Sequence, residues 1–183
     1  EIGDYAFAYT KIESIDFGKN INSVGANSFL GTCKLKSFNV IEKNKTYSSN
    51  NGVLYNKDGS ELVLFPAAKT GTFTLPAAVW KICDKAFYGS AITGVKLEKD
   101  TALSEIGVSA FENSMITSFE IPAAVTKLNA YTFKNAAKLA TVKFNDGLTY
   151  IGASAFEGCA SLKEISLPKS LYTIANAAFK NAG

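Results

Sequence analysis

Ile151-Gly152-Ala153-Ser154-Ala155-Phe156, continued by Glu157-Gly158-Cys159-Ala160-Ser161 and then by Leu162-Lys163-Glu164-Ile165-Ser166-Leu167-Pro168, is the fullest copy of a unit that runs through the whole chain. Its opening six residues recur as Ile2-Gly3-Asp4-Tyr5-Ala6-Phe7, Val24-Gly25-Ala26-Asn27-Ser28-Phe29, Ile82-Cys83-Asp84-Lys85-Ala86-Phe87, Ile106-Gly107-Val108-Ser109-Ala110-Phe111 and Ile174-Ala175-Asn176-Ala177-Ala178-Phe179, with a weaker copy at Leu128-Asn129-Ala130-Tyr131-Thr132-Phe133. The phenylalanines that end these copies lie 22, 58, 24, 22, 23 and 23 residues apart, so one interval alone departs from a period near 23. A fixed period of that length marks a repeat architecture.

Five or six residues after each phenylalanine comes apolar-x-x-apolar-x-apolar, as in Ile116-Thr-Ser-Phe119-Glu-Ile121 and Leu139-Ala-Thr-Val142-Lys-Phe144. Its last four residues alternate polar and apolar, the period of a half-buried strand. Pro122, Pro168 and Gly18 follow three of these runs, so the strands are short. A third apolar pair, such as Val79/Ile82, Leu103/Ile106 or Leu148/Ile151, leads into the next copy. A unit of this kind has an apolar side that it cannot cover alone, and stacking on a copy of itself covers it. The expected fold is therefore an α/β, right-handed solenoid of about 23-residue coils. Short parallel strands alternate with one or two helical turns at each Ala-Phe, and the phenylalanines form a single internal file.

The 58-residue interval holds one coil plus about 35 extra residues, an insertion over about 41–75. Within it, Gly52-Val53-Leu54-Tyr55 and Leu62-Val63-Leu64-Phe65-Pro66 flank Asn56-Lys57-Asp58-Gly59, a hairpin-turn signal. The preceding polar run from Asn44 to Asn51 reads as loop. No other stretch suggests a boundary, so residues 1–183 read as one solenoid domain.

Composition narrows the chemistry. The 183 residues are 47% apolar and 19% charged, enough for a real core. There are 19 lysines, 16 carboxylates and no Arg, His or Gln. Without His there is no Ser-His-Asp or Cys-His site, and without Arg there is no bidentate reader of guanine. Lysines nearly matched by carboxylates make no nucleic-acid stripe. No apolar run approaches the roughly 20 residues of a membrane span. Cys33, Cys83 and Cys159 lack metal-knuckle or disulfide-framework spacing and read as buried small hydrophobes. No Asp-x-Asp-x-Asp-Gly loop or phosphate loop is present, so neither a metal nor a cofactor is expected.

These residues resemble the BspA-like leucine-rich repeat family, whose unit runs I-G-x-x-A-F, a Gly- or Cys-containing bend, L-x-x-I-x-L-P and then V-x-x. The insertion resembles that family's variant unit through Asn44, Tyr47, Gly52-Val53-Leu54-Tyr55 and Pro66. Departures are local: Cys83 and Ala175 stand for Gly, Leu128-Asn129 stands for Ile-Gly, and three copies shorten the bend by one residue. The resemblance implies a secreted or surface-attached bacterial protein, without catalytic residues. It also implies adhesion to host matrix proteins or to other cells.

Three surfaces are candidates for binding. The outward strand positions form one column, Asp16, Asn39, Lys96, Glu120, Lys143 and Ser166, beside a second of Ser14, Ser37, Gly94, Ser118, Thr141 and Glu164. Such a flat polar face suits a protein or glycan; the plainer reading is a solvated sheet with Lys96, Glu120 and Lys143 paired across strands. Trp80, Tyr150 and Tyr172 occupy outward positions before the Ile-Gly motifs, as a patch or as scattered rings. Tyr47, Tyr55 and Phe65 in the insertion either carry function or seal the insertion to the flank. The expected role is a non-enzymatic surface module for adhesion or protein recognition. The alternatives are a spacer without a ligand or a glycan-binding module. The ends show no polar capping unit, so a fragment of a longer array, or self-association through the ends, is expected.

Overall fold

A computed structural model describes every residue from Glu1 to Gly183. In chain order its strands are β1 (Ser14–Phe17), β2 (Ser37–Val40), β3 (Tyr47–Asn50), β4 (Val53–Asn56), β5 (Glu61–Leu64), β6 (Gly71–Leu75), β7 (Lys81–Ile82), β8 (Ile92–Leu97), β9 (Glu105–Ile106), β10 (Ser118–Glu120), β11 (Lys127–Leu128), β12 (Thr141–Lys143), β13 (Tyr150–Ile151) and β14 (Thr173–Ile174). The second pattern supplies the longer strands, except in the copy at residues 162–167, which forms none. They pair in parallel as β1-β2 and as β12-β10-β8-β6. The apolar-to-Ile approach supplies the two-residue strands β7, β9, β11, β13 and β14, which pair in parallel as β7-β9, extended by β5 of the insertion, and as β11-β13-β14. The chain is thus a stack of coils with a ladder on each of two sides.

The expected helical turns are absent: no residue is helical, and each Ala-Phe segment is a run of single turns. The cause is backbone handedness. The fourth residue of six copies (Tyr5, Lys85, Ser109, Tyr131, Ser154, Ala177) is left-handed, with φ between 52° and 63°. So is the second residue after the phenylalanine that ends each copy, as at Asn113, Asn135 and Gly158. Two left-handed residues four positions apart turn alternate amides out of the coil. In the turn at Phe87, Ala86 and Tyr88 donate to Cys83 and Lys85 within the coil at 3.2 and 2.9 Å. Lys85, Phe87 and Gly89 donate to Val108, Ala110 and Glu112 of the next coil at 3.0, 2.7 and 2.9 Å. A helix would satisfy these amides internally, whereas here half of them stitch coil to coil. Each left-handed non-glycine residue costs roughly 1–2 kcal/mol, and the cross-coil bonds hold it in place. Asn27 does not adopt the left-handed form; its amide bonds back to Asp4 Oδ1 at 3.1 Å.

The small residue before the phenylalanine sits inside the stack in every copy but the first, where Ala6 is exposed: Ser28, Ala86, Ala110, Thr132, Ala155 and Ala178 are all buried. The repeated glycines do similar work. A Cβ on Gly107 would lie 2.7 Å from the Cys83 carbonyl carbon, and one on Gly152 would lie 2.6 Å from the Asn129 carbonyl carbon, so neighbouring coils approach backbone to backbone.

The insertion is ordered and differs from its reading in two respects. The hairpin is β4-β5, antiparallel around Asn56–Gly59, but the polar run before it is not all loop: Tyr47–Asn50 form β3, antiparallel to β4. Residues 71–75 are not extra either, because β6 pairs with β8 in the repeat sheet. Phe65 heads that coil, with its ring 4.7 Å from Phe87 and its amide bonded to Ala86. Phe65 precedes Phe87 by 22 residues and follows Phe29 by 36, so the true excess is about 13 residues.

The phenylalanine file is accordingly two files. Phe7 and Phe29 stack at 5.2 Å, and Phe65, Phe87, Phe111, Phe133, Phe156 and Phe179 stack at 4.7 to 5.3 Å. Between them stands β4, buried on both faces. Val53 and Tyr55 join a core of 30 residues with the long file, and Leu54 joins a core of 8 with the short one.

Candidate binding face

Alternation along β6, β8, β10 and β12 sends Phe73, Val95, Phe119 and Val142 inward and leaves their neighbours on one open face. Registers place Thr74 opposite Lys96, Glu120 opposite Lys143, and Thr72, Gly94, Ser118 and Thr141 in line. All of these but Thr74 line a shallow depression across the four strands. Of the predicted column, Lys96, Glu120 and Lys143 come together here. Asp16 and Asn39 lie on the separate β1-β2 sheet, where Asn39 Nδ2 donates to Asp16 Oδ1 at 2.8 Å. Ser166 is exposed on a segment that forms no strand. Thr72 and Thr74 belong to the face and were hidden by counting β6 as insertion. The 22-residue step from Phe65 to Phe87 was the signal for them.

The electrostatics of the face are simple. Lys143 Nζ lies 2.8 Å from Glu120 Oε1, and that hydrogen bond above all holds the Glu120 carboxyl below its ordinary range. Glu120 is the one carboxylate on these four strands, so the face has no paired carboxylates and no acid poised near neutrality. Lys96 enters no ion pair. The arrangement can recognise polar or negatively charged surface.

The aromatic residues do not form one patch. Backbone bonds align Trp80 with Ser104, and Tyr172 with Thr149 and Thr126, so three coils separate the two rings. Tyr150 belongs to the adjoining column, opposite Lys127 and Thr173, with Lys127 Nζ 5.3 Å above its ring. Tyr172 is 89% exposed and Trp80 carries Lys81 at 5.7 Å. Tyr47, Tyr55 and Phe65 are all buried, so they seal the insertion. Of the cysteines, Cys159 is buried as expected, Cys83 is half-buried and Cys33 is exposed on a bend.

Stacked coils with parallel strands at a period near 23 and a buried phenylalanine file define a leucine-rich repeat solenoid. The particular family emerges from its sequence model: the BspA type leucine-rich repeat region matches residues 1–58 and 63–183 in 6 copies, and the chain belongs to that family. Among solved structures, a leucine-rich cell surface protein from Faecalibacterium prausnitzii is 26% identical with a TM-score of 0.85, covering 97% of this chain and 47% of that one. The pneumococcal vaccine antigen PcpA is 24% identical with a TM-score of 0.76, covering 83% and 38%. A leucine-rich repeat protein from Eubacterium ventriosum is 23% identical with a TM-score of 0.64, covering 99% and 62%. The chain thus spans less than two thirds of each of these proteins. No curated protein matches its sequence.

Proposed function

We propose that this chain is a secreted or cell-surface, non-enzymatic recognition module that binds a protein partner through the β6-β8-β10-β12 face. The observation that carries the reading is the face itself: four parallel strands present small hydroxyl side chains around Lys96, an exposed cation without an ion pair. Small residues let a partner approach the sheet closely, and a free cation steers it. The surface location is supported by family membership and by the likeness to the Faecalibacterium cell surface protein. The test is capture of extracellular-matrix proteins by the immobilised module, repeated with Lys96→Glu plus Lys143→Glu. Loss of capture in the double variant is the expected result.

A second reading, a spacer without its own ligand, draws on the scattered positions of Trp80, Tyr150 and Tyr172, since binding hot spots are clustered aromatics. No capture at all assigns that role, whereas undiminished capture by the double variant moves binding away from the β6-β8-β10-β12 face.

A further inference from the structure

Away from the sheet face, the loops that follow β1 and β2 build a second surface of a different character. The first loop carries Lys19, Asn20 and Asn22, and the second carries Lys43, Lys45 and Thr46; these six line one open depression containing no carboxylate and no apolar side chain. None of the three lysines enters an ion pair. Of the carboxylates on the same strands and loops, Asp16 accepts from Asn39, and Glu42 does not line the depression. From the hairpin turn, Lys57 Nζ donates to the Glu42 carbonyl at 3.0 Å, which adds a fourth cation to the same loop.

The lysines are not merely adjacent on a mobile surface. Asn44, 1% exposed, stands between Lys43 and Lys45 and ties the two loops together. Its Nδ2 donates to Gly18 O at 2.9 Å and Ile21 O at 2.8 Å, and its Oδ1 accepts from the amides of Thr46 and Tyr47 at 2.9 and 2.8 Å. All of its ordinary hydrogen-bonding capacity is spent on fixing backbone, so the cations come pre-positioned and less ordering remains to be done on binding. Later coils do not repeat the cluster: the corresponding bends carry Ala123 and Ala124, Asp146, or a lone lysine, Lys99 beside Asp100 and Lys169 beside Ser170.

We infer that this depression binds an anionic polysaccharide bearing sulfate esters. Lysine ammonium groups are point charges suited to isolated oxyanions, and the Asn20 and Asn22 amides match sugar hydroxyls. Nucleic acid is disfavoured by the lining, which offers no ring to stack a base and no guanidinium to read one. The site is separate from the β6-β8-β10-β12 face, so either assignment stands if the other fails.

The experiment is titration of the whole chain with heparin oligosaccharides at rising sodium chloride. Releasing counterions from a linear polyanion at three lysines gives a log–log slope of about −2.1 to −2.7, or roughly 20- to 40-fold weaker binding between about 50 and 200 mM salt. Lys19→Gln, Lys43→Gln and Lys45→Gln together abolish that dependence, whereas Lys138→Gln, Lys163→Gln and Lys169→Gln, with the same loss of charge elsewhere, leave binding within about twofold. Absence of heparin binding overturns the proposal. So does equal loss in both triple variants, which indicates net charge alone, or equal binding of desulfated heparin or of single-stranded DNA. Circular dichroism confirms that each exposed-lysine variant is folded.

Discussion

From Phe65 to Phe179 six rings stack over a core of 30 residues, whereas Phe7 and Phe29 stack as a pair over a core of 8. Both regions are made from the same unit, so the difference lies in the segment that leaves each coil. In the long stack each interior turn receives amides from the coil before it and gives amides to the coil after it. At Phe29 the chain instead enters the β3-β4-β5 meander, and the next ring in sequence starts a new file. Solenoid stability is a sum of nearest-neighbour contacts, so an insertion of about 13 residues suffices to divide one continuous core. The small core survives because the meander gives it a wall of Tyr47, Leu54 and Leu64, and because Asn44 fastens its loops.

The largest expected effect lies in the middle of the long file. Phe111 is fully buried between Phe87 and Phe133 at 4.8 and 5.2 Å, and Phe111→Ala should cost about 3–5 kcal/mol in urea unfolding. Phe7 has one ring neighbour and is only half-buried, so Phe7→Ala should cost less than half of that. Equal costs would erase the distinction between the files. Next in size is Asn44→Ala, which strips partners from two carbonyls and two amides; about 2–3 kcal/mol is expected, each buried unsatisfied group carrying a desolvation penalty. Hydrogen exchange should localise it, with faster exchange in β1 and β2 and unchanged protection in β10 and β12. Third comes a pair of glycines. Gly107→Ala forces a methyl into the backbone of Cys83 and Asp84, for about 1–3 kcal/mol, while nothing lies within 4 Å of a Cβ on Gly3. Matching melting temperatures for the two variants would show that coil spacing is slack.

The same comparison explains how much of the fold is legible in the chain. The strands from Ile92 onward and the burial of their phenylalanines come from a period that the residues display openly. The helical turns were misread because Ala-Phe and its neighbours have ordinary helix propensity, and no residue type announces that Lys85 or Ser109 will be left-handed. That conformation is imposed by amides reaching for the adjacent coil, a tertiary cause. Phe65 was missed because Pro66 follows it and no Ile-Gly precedes it, although its distance to Phe87 fits the period. Of the candidate face, the column through Lys96, Glu120 and Lys143 was legible from alternation alone. The loss of Asp16 and Asn39 to another sheet depends on β4 acting as a partition. The lysine loops needed Asn44, whose partners lie up to 26 residues away and leave no local pattern.

Smaller effects sharpen the picture at the surface. The Glu120–Lys143 pair is exposed, so a double-mutant cycle to Gln and Met should return less than about 1 kcal/mol, lost in high salt. Its pH dependence has a definite sign. A carboxyl held below its ordinary range contributes above that range, and the contribution fades as pH falls through the lowered value. Stability should therefore drop slightly below the ordinary carboxylate range, and Glu120→Gln should remove that part of the drop.

The three thiols give the finest test, since reading them perturbs the fold least. Burial pushes the thiols of Cys159 and Cys83 up to about 12, and Cys159 Sγ also donates to Phe133 O at 3.1 Å inside the long stack. The nucleophile is the thiolate, so near pH 8 these two are almost wholly unreactive, while Cys33 stands exposed on its bend. Titration with a thiol reagent should find one fast group in the native chain and three after denaturation. Fast reaction at Cys83 with Cys159 still protected would mean that the junction between the two cores opens while the stack behind it stays closed. Folded pKa values raised toward 12 also mean that this contribution to stability is complete below about pH 9 and declines as pH rises toward 12. Cys159→Ala should blunt the alkaline decline without touching the fast thiol, because the two groups sit in different stacks.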